Sequence, residues 1–66
     1  MDVYSFGVLL LEMVTGREPY LGEQQALTGE VQPVPLQGII RQCLAVDPNN
    51  RPTMAQLLER LKDVAV

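Results

Sequence analysis

The sequence predicts an all-α fold from three observations. Apolar residues recur at helical spacing in three separate stretches, no useful stretch alternates with period two, and glycine and proline gather between the periodic stretches. The chain has 66 residues, enough for one small domain. A domain of this size buries only about 60% of the surface its unfolded chain exposes, so marginal stability is expected.

The first helix is expected from Asp2 to Thr15. Asp2 stands where a carboxylate caps free backbone amides, and Gly16 where a left-handed residue ends a helix. Val3, Phe6, Leu10, Met13 and Val14 form one stripe, while Val8, Leu9 and Leu11 spread apolar surface around most of the circumference. Helices apolar nearly all round are normally buried in larger proteins, and 66 residues can hardly surround this one.

Pro19, Gly22, Gly29, Pro33 and Pro35 punctuate the middle of the chain. Its only helical candidate is a short polar piece from Glu23 to Leu27, and the rest reads as loop. From Leu36 the helical period returns through Ile39, Ile40, Cys43 and Leu44, and Pro48 is expected to end that helix. Thr53 opens a last helix, with Thr53 and Gln56 spaced as a capping box. Met54, Leu57, Leu58 and Leu61 make its apolar stripe, and Gln56, Glu59, Arg60, Lys62 and Asp63 face water.

Composition excludes several classes of function. Cys43 is the sole cysteine and histidine is absent, so neither an internal disulfide nor a zinc site of the usual ligand types is expected. The net charge is -3 and the five basic residues are scattered. They form no patch for a phosphate backbone, so no nucleic-acid partner is expected. The apolar run from Phe6 to Leu11 is far short of the roughly 20 residues of a membrane span. Asp2 and Glu12 also argue against a signal peptide. The expected compartment is intracellular, in the cytoplasm.

The residues alone offer no catalytic constellation: no histidine base, no activated nucleophile and no paired glycines to cradle phosphate. No catalytic, cofactor-binding or metal-binding residue is assigned. Cys43, on an apolar stripe, reads as an inert core thiol. Glu12 within an apolar helix either points to solvent or meets a specific partner, and both readings stay open. Arg51, between Asn50 and Pro52, is either solvated or reaches a carboxylate through its planar fork.

Two runs carry a family resemblance. Asp-Val-Tyr-Ser-Phe-Gly from Asp2 to Gly7, continued by Leu9, Glu12, Met13, Gly16 and Pro19-Tyr20, resembles the central helix of the protein kinase helical lobe. Cys43-Leu44, Asp47-Pro48 and Arg51-Pro52-Thr53 resemble its penultimate helix, connecting loop and final helix. The resemblance covers nearly the whole chain and is weakest from Leu21 to Val34, where the chain looks internally shortened. Tyr4, Thr15-Gly16-Arg17 and Cys43-Leu44 are similar to the tyrosine-kinase-like and receptor-like serine/threonine kinases.

The resemblance implies a fold: one partial kinase domain over 1–66, with three main helices and a short one in a loop-rich middle. It also implies roles. Asp2 matches the aspartate that holds the catalytic-loop backbone and anchors one hydrophobic spine, and Leu9 and Met13 match the base of the other spine. Glu12 matches a position that in some kinases meets basic substrate residues. Arg51 matches the arginine that pairs with the glutamate of Ala-Pro-Glu, a buried ion pair that costs about 3–5 kcal/mol to break.

The parent activity implied is transfer of the γ-phosphoryl group of ATP to a protein Ser, Thr or Tyr, with Mg²⁺ on the phosphates. The sequence holds no Gly-rich loop, strand lysine, His-Arg-Asp, Asp-Phe-Gly or Ala-Pro-Glu motif. Met1 stands where the family usually has Ser or Thr. The expectation is a truncated kinase piece, inactive alone, with ATP, Mg²⁺ and a protein substrate belonging only to a complete parent. The alternative is a small helical interaction module, whose apolar first helix meets a kinase lobe or a second copy.

Overall fold

The computed structural model describes residues 2–18, 20 and 22–64. Met1, Pro19 and Leu21, named in the sequence analysis, lie outside the described residues. Four α-helices follow one another: α1 (Val3–Thr15), α2 (Gln24–Thr28), α3 (Val34–Cys43) and α4 (Met54–Val64), with a 3₁₀ turn at Pro48–Asn50 before the last. No strand occurs among the described residues. The all-α expectation therefore holds, with three main helices and a short one between them.

Local chemistry sets the helix ends. The Ser5 amide donates to the Asp2 carboxylate at 2.7 Å, so Asp2 caps α1. At the other end Gly16 takes φ 72°, and its amide donates to the Glu12 carbonyl at 2.8 Å. In α4 the capping box is reciprocal. The Gln56 amide donates to Thr53 Oγ1 at 3.1 Å and the Thr53 amide to Gln56 Oε1 at 3.0 Å.

Two boundaries differ from expectation. Helix α3 begins at Val34, two residues ahead of Leu36, with Pro33 at its cap and Pro35 in its first turn. First-turn amides have no intrahelical partner, so a missing N–H costs nothing there. The helix also ends at Cys43, well ahead of Pro48, which opens the 3₁₀ turn instead. That turn is set by Asp47, whose carboxylate accepts from the Asn49 amide at 2.9 Å. The Arg51 side chain holds the intervening chain by donating from Nε to the Ala45 carbonyl at 2.8 Å.

Helix α3 is the hub, packing on α1, α2 and α4. Successive helical residues point about 100° apart, so Ile39 and Ile40 serve different neighbours. Ile40 is buried with Leu11, Leu27 and Val31, flanked by Leu10, Leu36 and Leu44. Ile39 and Cys43 are buried with Leu57, flanked by Val3, Phe6, Met54, Leu61 and Val64. Thr28, also buried, is satisfied by donating its hydroxyl to the Gln24 carbonyl at 2.6 Å.

The apolar stripes differ in detail from the sequence expectation. On α1, Val3, Phe6 and Leu10 pack inward, but Met13 is 71% exposed and Val14 42%. The inward face turns instead through Gly7 and Leu11, the residues that meet α3 and α2. On α4, Leu57 is fully buried and Leu58 is 53% exposed. With only α3 packed closely on it, α4 has a narrow inward stripe, buried at Leu57 and partly buried at Met54, Leu61 and Val64. Leu27 and Val31 join the core from the segment read mostly as loop.

Candidate functional site

The residues singled out from the sequence fall into two places. Leu9, Glu12 and Met13, three and four apart, share the outward side of α1, and all are exposed. Leu9 is 40% exposed. Glu12 is exposed in this chain. The other two residues, Asp2 and Arg51, lie near each other where α1 begins and the α3–α4 connection ends.

The Asp2 carboxyl is held below its ordinary value of 3.8, first by the hydrogen bond from the Ser5 amide and secondarily by its hydroxyl and the positive charge of Arg51. Arg51 is half-buried, and its guanidinium carbon lies 4.9 Å from the Tyr4 ring centroid. Its Nε is engaged by Ala45, and its Nη2 makes a long 3.5 Å contact to the Val46 carbonyl. Tyr4 is fixed in turn by donating its hydroxyl to Gln24 Oε1 at 2.9 Å. The stack therefore ties α1, the start of α2 and the loop after α3 into one unit.

The ion pairs among the described residues are Arg17–Glu30 at 2.7 Å and Lys62–Glu59 at 3.6 Å. Among the described residues, then, Arg51 is half-buried and pairs with no carboxylate. Beside it opens a cleft of about 570 Å³ walled by Tyr4, Gln25, Leu44 and Val46. Sequence reasoning noted Tyr4 only as part of the family resemblance and did not single out Gln24 or Gln25. No local signal marks them, because the contacts join residues far apart in the chain.

Cys43 is fully buried, and burial pushes its thiol above the ordinary value of 9.0. A thiol so placed is a packing group, with little thiolate available for chemistry. No helix among the described residues is long and apolar enough to cross a membrane.

These features define a helical scaffold: a hub helix, an arginine stacked beside a cleft, and a leading helix whose outer apolar side is uncovered. The sequence profile described as "Protein tyrosine and serine/threonine kinase" matches residues 1–61, and the chain belongs to that family. It is 38% identical over 76 aligned residues to "Probable serine/threonine-protein kinase drkA" of Dictyostelium discoideum, covering 96% of this chain and 12% of the relative. It is also 38% identical to the serine/threonine-protein kinase PkaA of Streptomyces coelicolor, covering 98% of this chain and 14% of the relative. The human mixed lineage kinase domain-like protein is 36% identical, with 91% of this chain and 16% of the relative covered.

The chain thus spans 12 to 16% of the length of these relatives. Alignments over 76 residues exceed the 66 of the chain, so these relatives carry residues with no counterpart here. No solved structure matches the chain.

Proposed function

We propose that this chain is a structural part of a protein kinase helical lobe and does not transfer phosphate by itself. The carrying observation is the family match over residues 1–61 in a sequence without any of the motifs that hold ATP, metal or the transferred phosphate. On this reading the parent kinase transfers the γ-phosphoryl group of ATP, with Mg²⁺, to a protein Ser, Thr or Tyr. This chain requires neither. All 66 residues form one partial domain that acts inside the cell, in the cytoplasm.

Each residue role then has a physical basis. Leu9 and Met13 supply apolar surface for the lobe's spine, and their exposure supports a surface completed by other parts of a lobe. Asp2 offers a carboxylate kept ionised at neutral pH for the catalytic-loop backbone. Arg51 offers a guanidinium already stacked and oriented for the glutamate of Ala-Pro-Glu. Glu12 faces outward, where a basic substrate residue would meet it. Incubating the purified chain with γ-labelled ATP, Mg²⁺ and a protein substrate tests the reading. No incorporation above a protein-free blank is expected, and incorporation above it would overturn the non-catalytic assignment.

The exposure of Met13 at 71% favours a second reading, a helical interaction module that uses the outer side of α1 to meet a kinase lobe or a second copy. Size-exclusion chromatography of the chain and of its Met13→Glu variant separates the readings. Association that the variant abolishes supports the module, and a monomer in both cases counts against self-recognition.

A further inference from the structure

Six residues of the chain carry a hydroxyl group, and five of them are engaged within a helix or at its cap. Ser5 lies in α1, and its side chain bonds the Asp2 carboxylate. Thr15 donates to the Leu11 carbonyl at 2.6 Å, and the buried Thr28 to the Gln24 carbonyl at 2.6 Å. Thr53 accepts from the Gln56 amide at the start of α4. Tyr4 is half-buried in α1, its hydroxyl donating to Gln24 and its ring stacked with the Arg51 guanidinium.

Tyr20 is the exception. It is 77% exposed, stands in the non-helical connection between α1 and α2, and belongs to neither core cluster. Among the described residues its hydroxyl has no hydrogen-bond partner, and its carbonyl accepts from the Glu23 amide at 2.9 Å. A hydroxyl inside a helix reaches another enzyme's active site only after local unfolding, whereas one on an exposed connection is already accessible. The surroundings are acidic. Glu18 and Glu23, two residues before and three after Tyr20, are exposed and outside the ion pairs of the described residues. Arg17, the nearest cation in the sequence, is already paired with Glu30 at 2.7 Å. Such a segment is complementary to an enzyme whose substrate groove is basic.

We propose that Tyr20 is a phosphate-acceptor site for a separate protein tyrosine kinase with a basic substrate groove. In the step, Tyr20 Oη attacks the γ-phosphorus of ATP held with Mg²⁺ by that kinase. The new O–P bond forms as the bond to the β,γ-bridging oxygen breaks, ADP leaves with the electron pair, and the phenolic proton passes to a carboxylate base of the kinase. The product adds about two negative charges to a chain of net charge -3. The inference goes beyond the kinase reading, because here the chain is the substrate and not part of the catalyst.

The test is phosphorylation of the full chain by a purified tyrosine kinase that is active on a copolymer of glutamate and tyrosine, with ATP and Mg²⁺, read by intact mass and peptide mapping. One phosphate on Tyr20 is expected, with Tyr4 modified at least about tenfold more slowly because α1 has to open first. Tyr20→Phe should lose the modification. Glu18→Gln combined with Glu23→Gln should slow it at least about threefold. Both variants should keep the circular dichroism spectrum, since none of the three residues belongs to a core cluster.

Tyr4 modified as fast as Tyr20, an unmodified Tyr20 while the copolymer is phosphorylated, or indifference to the loss of the Glu18 and Glu23 charges would each overturn the proposal. A blank without the added kinase should stay unmodified. Phosphate on Tyr20 in that blank would overturn both the separate kinase and the non-catalytic assignment of this chain.

Discussion

Gly7 and Cys43 meet where α1 crosses α3, so closely that a Cβ built on Gly7 would stand 2.6 Å from the Cβ of Cys43. Leu44 closes the other side, with its Cδ2 at 3.2 Å. The nearest atom is a Cβ fixed to its own helix, not the free end of a flexible side chain, so one helix has to shift to admit a methyl group. Gly7→Ala gains about 1 kcal/mol of helix propensity but incurs overpacking of about 1–3 kcal/mol. The expected result in a urea titration is a lower midpoint with an unchanged slope. A raised midpoint would mean that the crossing is looser than described.

Leu57 and Leu58 are adjacent and alike in the sequence, yet one is fully buried and the other 53% exposed. Leu57→Ala should cost about 2–5 kcal/mol by leaving a cavity against Ile39 and Cys43. Leu58→Ala should stay within about 0.5 kcal/mol, as surface substitutions do. Thermal melts of the two variants check this, and similar losses would contradict the placement of α4.

Asp2 sets a pH dependence whose sign follows from its lowered pKa. Folding favours the ionised form, so its contribution is whole above the unfolded value near 3.8 and is lost as pH falls through the lower folded value. Asp2→Asn keeps a capping oxygen without a titrating group. Urea midpoints from about pH 2 to 6 should therefore converge or cross for the two proteins only below about pH 4. A gap that changes above that range would assign the pH dependence to another group.

The Cys43 thiol should resist labelling in the folded chain, since it is fully buried and its pKa is raised. Reaction with a chromogenic disulfide reagent at pH 8 is expected to be slow in buffer and fast in denaturant. The slow rate then reports opening of the core around Leu57. Rapid labelling in buffer would show that α3 and α4 part readily.

The sequence by itself determined the ends of α1 and the start of α4, because Asp2, Gly16 and the Thr53–Gln56 pair act within one helical turn of their own backbone. It also determined α3 as an apolar helix, since Leu36, Ile39, Ile40, Cys43 and Leu44 all pack inward as their spacing requires. The motifs that resemble protein kinases were legible for the same reason: each is a short continuous run.

Only the tertiary structure decided which side of α1 is covered. That helix is apolar nearly all round, so its own residues give no preferred side, and contact with α2 and α3 selects Leu11 over Met13. It likewise brought Val31 into the core and stacked Arg51 on Tyr4. The physical reason is common to all of these. Helix caps and periodicity act over a few neighbouring residues, whereas burial and side-chain partnership depend on which distant segments the chain brings together.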